Sequence, residues 1–277
     1  MNTRKVPQLF VASGATKWND PKRSRWTMRE GRIYAKYLLE NHPNGKVGIL
    51  YQNDDYGKDY VKGLKDGLNG RMPIVAELPY ETSDSTVDSQ IVSLKASGAD
   101  VFFDVTGPKF AAQAIRKAAE IGWRPVHLFN SASASIGAVF KPAGLDNSTG
   151  ILSATWGKDV TDPAWHEDPG YKAWAAFLGR YYPDADRTNS FVGGGYTFAQ
   201  ALVQVLKQCG DKLTHENVMA QAANLKGVEL DLLLPGITVN TSPTDYAPIK
   251  QMQMRRFTGE HWEMLGPVVT VALNESE

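Results

Sequence analysis

Between residues 31 and 155 the chain switches repeatedly between two hydrophobic periods. Short runs in which most positions are apolar, Val47-Gly48-Ile49-Leu50-Tyr51, Ile74-Val75-Ala76-Glu77-Leu78, Val101-Phe102-Phe103 and Val126-His127-Leu128-Phe129, predict strands. They recur roughly every 25 to 28 residues, the length of a strand, a helix and two turns. The stretches between them carry a helical period. Ile33, Tyr34, Tyr37 and Leu38 share a face that ends at Asn41-His42-Pro43, where proline stops the helix. Gly57 to Leu68 is a second helix. Ser83-Asp84-Ser85 offers cap oxygens for a third, which carries Ile91 and Leu94 and closes at Gly98. Pro108 opens a fourth, whose alanines suit close packing on a sheet and which ends at Gly122. This βαβα series predicts a parallel sheet. Ligands of such sheets lie beyond the carboxyl ends of the strands, so the loops opening at Gln52, Asp104 and Asn130 are the first places to look for function.

Beyond about residue 156 the pattern changes. Aromatic-rich helices are predicted at Tyr171 to Tyr182 and Phe198 to Gln208, a third at His215 to Leu225, and strand-like runs at Gly236 to Asn240 and Gln251 to Phe257. Arg256 to Trp262 reads as a hairpin with Gly259 in its turn. At the other end, Pro7 to Ala12 reads as a strand followed by the loop Ser13-Gly14-Ala15-Thr16. Strands before and after the central series predict a second sheet, with the chain crossing between bodies near residues 28 to 31, 153 to 158 and 241 to 248. No solenoid repeat or low-complexity tract is present.

Composition narrows the partners. The 277 residues carry 30 basic and 30 acidic side chains, so nothing electrostatic favours nucleic acid or an anionic membrane as partner. The chain has no run of about 18 apolar residues, and Met1-Asn2-Thr3-Arg4-Lys5 leads toward a strand instead of a signal-peptide core. It is therefore expected neither to insert in a membrane nor to carry its own export address. Cys209 is alone, which rules out an internal disulfide, and it reads as a helix-face packing residue.

Several segments in combination resemble a known family. Ala12-Ser13-Gly14-Ala15-Thr16, then Glu30-Gly31-Arg32 opening a helix, then Leu50-Tyr51-Gln52-Asn53-Asp54-Asp55-Tyr56-Gly57 are similar to the branched-chain amino-acid type of periplasmic solute-binding proteins of ABC importers. Val205 to Gly210, Leu234-Pro235-Gly236-Ile237 and Asn240 to Tyr246 strengthen the resemblance, which covers nearly the whole chain. It implies an α/β chain with the type I periplasmic-binding-protein fold: two doubly wound parallel-sheet lobes joined by several crossings. Lobe one would comprise residues 1–29 and 156–248, and lobe two residues 30–155 and 249–277. It further implies a periplasmic binder with no enzymatic activity and no cofactor, whose partners are a small solute and the membrane permease of an ABC transporter.

The residues expected to hold that solute lie in the strand-end loops. Ser13, Gly14, Ala15 and Thr16 offer small side chains, backbone N–H groups and a hydroxyl, all suited to a carboxylate, and in similar proteins this loop holds one. An ordinary strand-to-helix turn is the competing account. Tyr56 follows a strand and precedes a glycine, where its ring can cover an apolar guest; a surface tyrosine is the alternative. Thr106 and Ser131, Ala132 and Ser133 occupy the next two loops, with packing or helix capping as the competing roles.

Two departures from the family bear on the expectation. Amino-acid binders of this kind place an acidic residue after the strand ending Leu128-Phe129, where it meets the ligand ammonium, whereas this chain reads Asn130-Ser131-Ala132-Ser133-Ala134-Ser135. An unmatched buried ammonium costs several kcal/mol as an order of magnitude. A small carboxylate, aromatic ones included, or an amide therefore fits better than an amino acid such as leucine, with Asp104 as the alternative source of charge. The chain also starts near the last strand of the family's first lobe, which is expected to be incomplete, and Pro21 to Glu30 is short and basic.

Enzyme readings find less support. Asp104 at a strand end, with Asp54-Asp55 after an earlier strand, superficially resembles a phosphoaspartyl enzyme or a receiver domain, in which such a carboxylate is the nucleophile. Yet a phosphatase of that type needs a second aspartate where Thr106 stands. There is no G-x-S-x-G elbow, and Gly193-Gly194-Gly195, expected to open the helix at Tyr196, lacks dinucleotide or P-loop spacing. His42, His127, His166, His215 and His261 are scattered without metal-ligand spacing. Trp156, Trp165, Trp174 and Trp262 lack the interleaved basic stripe of a base-stacking platform.

Overall fold

The four predicted strands form and pair as the spacing requires. The computed structural model describes Pro7, Leu9, Phe10 and residues 31–270. Within them β1 (Val47–Gln52), β2 (Ile74–Tyr80), β3 (Val101–Val105), β4 (Val126–Phe129) and β5 (Leu152–Thr155) run parallel, and β6 (Gln251–Phe257) and β7 (Trp262–Thr270) add an antiparallel hairpin. The order is β2-β1-β3-β4-β5-β6-β7. All five residues of β3 are buried, as expected of a strand covered on both faces. Helices α1 (Gly31–Asn41) and α2 (Asp55–Leu68) close one face through Ile33, Leu38, Val61 and Leu64 over Ile49 and Phe103. Helices α3 (Asp88–Ala96) and α4 (Pro108–Glu120) close the other through Ile91, Leu94, Ala114 and Ala118 over Leu50 and Phe102. α1 and α2 approach so closely that a Cβ on Gly31 would overlap the Tyr60 carbonyl. Further along this second face lie two short helical turns, α5 (Lys141–Ala143) and α6 (Leu145–Ser148), where Phe140 packs on Phe257 and Trp262.

The chain leaves the sheet after Thr155 and returns at Gln251. Between them lie α7 (Pro169–Tyr181), α8 (Ser190–Cys209) and α9 (His215–Ala222). Each start is fixed by a side-chain cap: Asp168 accepts from the Tyr171 N–H, Asn189 from Phe191 and Thr214 from Asn217. Two small cores serve this region. One joins Val160, Trp174, Leu178 and Leu232, and the other joins Val205, Cys209, Leu225, Leu234 and Ile237. Cys209 is thus a packing residue, as its place on a helix face suggests.

Several expectations need correction. The third helix does not start on Ser83-Asp84-Ser85. Asp84 instead accepts from the Glu81 N–H and closes a turn, so α3 begins at Asp88, where the Thr86 hydroxyl accepts from the Asp88 N–H. Gly193-Gly194-Gly195 does not open a helix but lies within α8, whose cap at Asn189 sets the start earlier. Gly236 to Asn240 makes only a single bridge, Val228 to Val239. The tail hairpin does not enter a second sheet: β5 is short and leaves an open edge that β6 pairs antiparallel. Pro7, Leu9 and Phe10 lie in no strand, and Gln8, Val11 and Ala12 lie outside the described residues.

Candidate functional site

At the carboxyl ends of β1, β3 and β4 the loops are knitted together by buried polar groups. Asn130, directly after β4, is fully buried; its amide donates to the Thr106 carbonyl (3.0 Å), and its Oδ1 accepts from the Ser133 N–H (3.0 Å) and from the Tyr56 hydroxyl (2.6 Å). Ser133 Oγ donates to the same Thr106 carbonyl (2.7 Å), so one backbone oxygen holds two loops together. Tyr80 extends the set, with its hydroxyl donating to Gln52 Oε1 (2.9 Å) and accepting from the Gly107 N–H (2.8 Å). Burial pushes the Tyr80 phenol well above its ordinary value, which keeps it a hydrogen-bond donor. Such a network rigidifies the floor on which a ligand site stands.

The cavity lies beside this floor, where the sheet meets the helical region, with a volume of about 350 Å³. Its apolar wall comes from Ile136, Trp156, Phe191, Phe198, Leu232 and Trp262, and its polar groups from Ser131, Thr155, Asp159, Thr188, Ser190 and Arg255. Volume and composition suit a small organic guest, since ligand pockets run from roughly 300 to 1,000 Å³ and are mostly apolar with a few convergent polar groups. Arg255 is buried at 7% exposure, with its guanidinium 4.1 Å from the centre of the Trp262 ring. Lys158, although it lines the cavity, is spent on structure: its Nζ donates to Asp168 Oδ1 (2.7 Å) and to the Asp231 carbonyl (2.8 Å).

The sheet and the helical region are stitched together at one rim. The Gly137 N–H donates to the Thr188 carbonyl (3.0 Å), Lys141 Nζ to Thr188 Oγ1 (3.0 Å), and the Ser190 N–H to Ser135 Oγ (3.2 Å). Gly137 has to be small, because a Cβ there would sit 2.6 Å from Thr188 Oγ1. Asp186 fixes Thr188 in turn, accepting from its hydroxyl (2.6 Å) and its N–H (2.9 Å), and these donations hold the Asp186 carboxyl below its ordinary value.

Of the residues singled out by sequence, Ser131 and Ala132 reach the cavity. Tyr56, Thr106 and Ser133 belong to the floor network; Thr106 is fully buried and donates to Asp104 Oδ1 (2.6 Å). Ser13, Gly14, Ala15 and Thr16 lie outside the described residues, as does Pro21 to Glu30. Asp104 is fully buried, with Oδ2 3.1 Å from His127 Nε2. A phosphorylated nucleophile or a ligand counter-charge has to be reachable, so the structure gives Asp104 neither role. Asp54 is the cap of α2, accepting from the Gly57 N–H (3.1 Å). Among the described residues no group of three or more His, Cys, Asp or Glu side chains is placed to hold a metal ion, and no helix is long and apolar enough to cross a membrane. Asp159, Arg255 and Trp262 escape sequence reading because they come from two segments far apart in the chain, Asp159 from the exit after β5 and the other two from the tail hairpin. The one available signal was a basic residue, Arg255, at a position where the alternation of β6 turns inward.

Comparison with known proteins agrees with this architecture. No curated protein matches the chain. Among solved structures, a branched-chain amino acid ABC transporter from Thermus thermophilus with bound valine superposes with a TM-score of 0.82 at 15% identity, covering 98% of this chain and 74% of that one. A substrate-binding periplasmic protein from Ralstonia solanacearum gives 0.77 at 21% identity, covering 92% and 71%. A solute-binding protein of an ABC transporter from R. palustris, in complex with 4-hydroxybenzoate, gives 0.71 at 16% identity, covering 88% and 65%. The sequence itself matches the family described as periplasmic binding protein over residues 1–260. With a mostly parallel sheet and a family match over most of its length, this chain belongs to the periplasmic binding proteins.

Proposed function

We propose that the chain is the extracytoplasmic solute-binding component of an ABC importer, which takes a small carboxylate, an amide or an amino acid between two hinged lobes and presents it to a membrane permease. The observation that carries this reading is the cavity of about 350 Å³, with walls contributed both by the sheet and by the helical region. A guest that touches both bodies binds their closed arrangement better than the open one, and only such differential affinity can turn binding into a signal for a transporter. The lobes proposed on the family pattern are residues 1–29 and 156–248 against 30–155 and 249–277, with the two exits from the sheet proposed as hinges. Ser13 to Thr16, Tyr56, Thr106 and Ser131 to Ser133 are the contacts proposed on the family pattern, Tyr56, Thr106 and Ser133 acting through the floor network. The valine and 4-hydroxybenzoate of two structural neighbours bracket the guests to be tried.

Thermal shift of the purified chain against a panel of organic acids, amides and amino acids tests the proposal. A saturable rise in Tm with at least one member is expected, the ligand being recovered unchanged. A flat panel, or chemical turnover of any member, removes the reading.

A further inference from the structure

We infer that the groove between α7 and α8 is a self-association surface, occupied by α8 of a second copy of this chain lying antiparallel across a two-fold axis at Ala199. The inference does not rest on solute binding, although Phe191 and Gly195 line the cavity as well as the groove. The groove measures about 710 Å³, and Phe177, Tyr182, Phe191 and Val203 in its walls are each 44% to 56% exposed. Large apolar side chains gathered in one groove, as opposed to scattered singly over a surface, mark an interaction site.

The order of residues along α8 says what fits there. Phe191, Gly195, Ala199, Val203 and Lys207 recur at intervals of four and so form one row on the helix; all five are exposed and all line the groove. Read backwards, this row is complementary to itself. Two copies related by a two-fold axis at Ala199 set Val203 over Gly195, Ala199 over Ala199 and Lys207 over Phe191, and each unlike pair occurs twice. The Lys207 ammonium then meets the Phe191 ring, so cation and aromatic face add charge complementarity to shape. Val203 fills the space that Gly195 leaves. A Cβ on Gly195 would meet no atom within 4 Å, so packing inside the chain does not call for glycine, the poorest helix former after proline. Close approach from outside does.

Rows spaced by four run together when two helices cross in the commonest packing class. Phe177 and Tyr182 of each α7 would then flank the partner's α8, as helical hairpins do in a four-helix bundle. The formal net charge of zero leaves no overall repulsion between copies. A foreign apolar helix would satisfy the aromatic walls but not the matched reversal of this row, which favours a second copy.

Sedimentation equilibrium of the full chain over a hundredfold range of concentration reads the association. A monomer–dimer equilibrium is expected, and Gly195→Leu, which fills the space meant for Val203 of the other copy, is expected to raise the dimer dissociation constant at least tenfold. Crosslinking under a mild oxidant reads the register and decides the matter if Gly195→Leu does not fold. Ala199→Cys, on the axis beside its own copy, is expected to form an intermolecular disulfide, whereas Leu202→Cys, exposed on α8 but outside the groove, is not. Cys209 is buried and does not compete. A chain that stays monomeric throughout overturns the inference, as does a dimer that Gly195→Leu leaves unchanged or that crosslinks equally through Leu202→Cys. A monomer that binds anilinonaphthalenesulfonate and loses it on Val203→Glu also overturns it, and assigns the groove to a foreign apolar guest.

Discussion

The sheet and the helical region solve the same packing problem to different degrees. In the sheet β1 and β3 lie under helices on both faces, and Val47, Ile49, Leu50, Phe102 and Phe103 are all at most 1% exposed. The helical region instead shows Phe177, Tyr181 and Tyr182 at the end of α7 and Leu202, Val203 and Leu206 along α8, all between 38% and 62% exposed. A helix needs only one covered stripe, yet α8 is apolar over most of its circumference and only part of that is covered by described residues. The sheet is thus held by apolar burial, while the helical region relies more on polar ties, such as Lys158 to Asp168 and Tyr196 to Asp231 (2.7 Å). The cavity lies where these two kinds of order meet.

The sharpest way to break the comparison is to remove one large side chain from each side. Trp262 is 1% exposed among Phe140, Phe257 and Arg255, and Trp262→Ala is expected to cost about 3–5 kcal/mol in urea unfolding. Leu206→Gln on α8, at a position 41% exposed, is expected to stay within about 0.5 kcal/mol of the unaltered protein. A loss of several kcal/mol from Leu206→Gln would show that α8 is covered after all and that the two regions are equally dry.

Polar ties come next in size. Lys158 has a side chain 9% exposed and bridges the cap of α7 to the Asp231 carbonyl. Lys158→Met keeps most of the stem volume and removes both hydrogen bonds, so an expected loss of about 1–3 kcal/mol reports the ties alone. An unchanged midpoint would mean that Val160, Trp174 and Leu178 hold this region without them.

How much of this contrast the sequence shows depends on how locally each feature is encoded. β1 to β4 are legible because a buried parallel strand is a short apolar run between turn residues, and Pro108 and Gly122 mark the ends of α4 without help from the rest of the chain. The start of α3 is not, because Ser83, Asp84 and Ser85 all offer cap oxygens and the helix uses none of them, starting after Val87 without a side-chain cap. Gly193 to Gly195 misleads for a related reason. Glycine weakens a helix by about 1 kcal/mol relative to alanine but does not forbid one, and the Asn189 cap together with packing against Leu232 outweighs that cost. The site is legible by halves: Ser131 and Ala132 follow from the rule about strand ends, whereas Arg255 and Trp262 join it only because β6 pairs with β5, a pairing that no local period records.

Hydrogen exchange tests the contrast without any substitution. Amides of β1 and β3 are expected to exchange at least tenfold more slowly than those of α7 and of the outer half of α8, since local opening is cheapest where few apolar contacts must be broken. Uniform protection across both regions would contradict the division drawn from burial.

The smallest expected effect lies at the rim that joins the two. Thr188 donates its hydroxyl and N–H to Asp186, which stabilises the carboxylate and lowers its pKa in the folded protein. A group with a depressed folded value contributes stability that is fully present above its unfolded value, about 4, and is lost as pH falls through the folded value. The melting temperature of the unaltered protein should therefore fall more steeply between about pH 4 and pH 2 than that of Asp186→Asn, with the two curves parallel above about pH 5. Because Thr188 also holds the Gly137 N–H and Lys141, loosening Asp186 reaches across to the sheet, and ligand affinity should weaken in the same acid range. If the acid limb of the melting curve is the same in both proteins, the rim is held by the Gly137 to Thr188 backbone bond and the Lys141 to Thr188 and Ser190 to Ser135 hydrogen bonds. The carboxylate then only shapes its own loop, and the two regions meet through those hydrogen bonds alone.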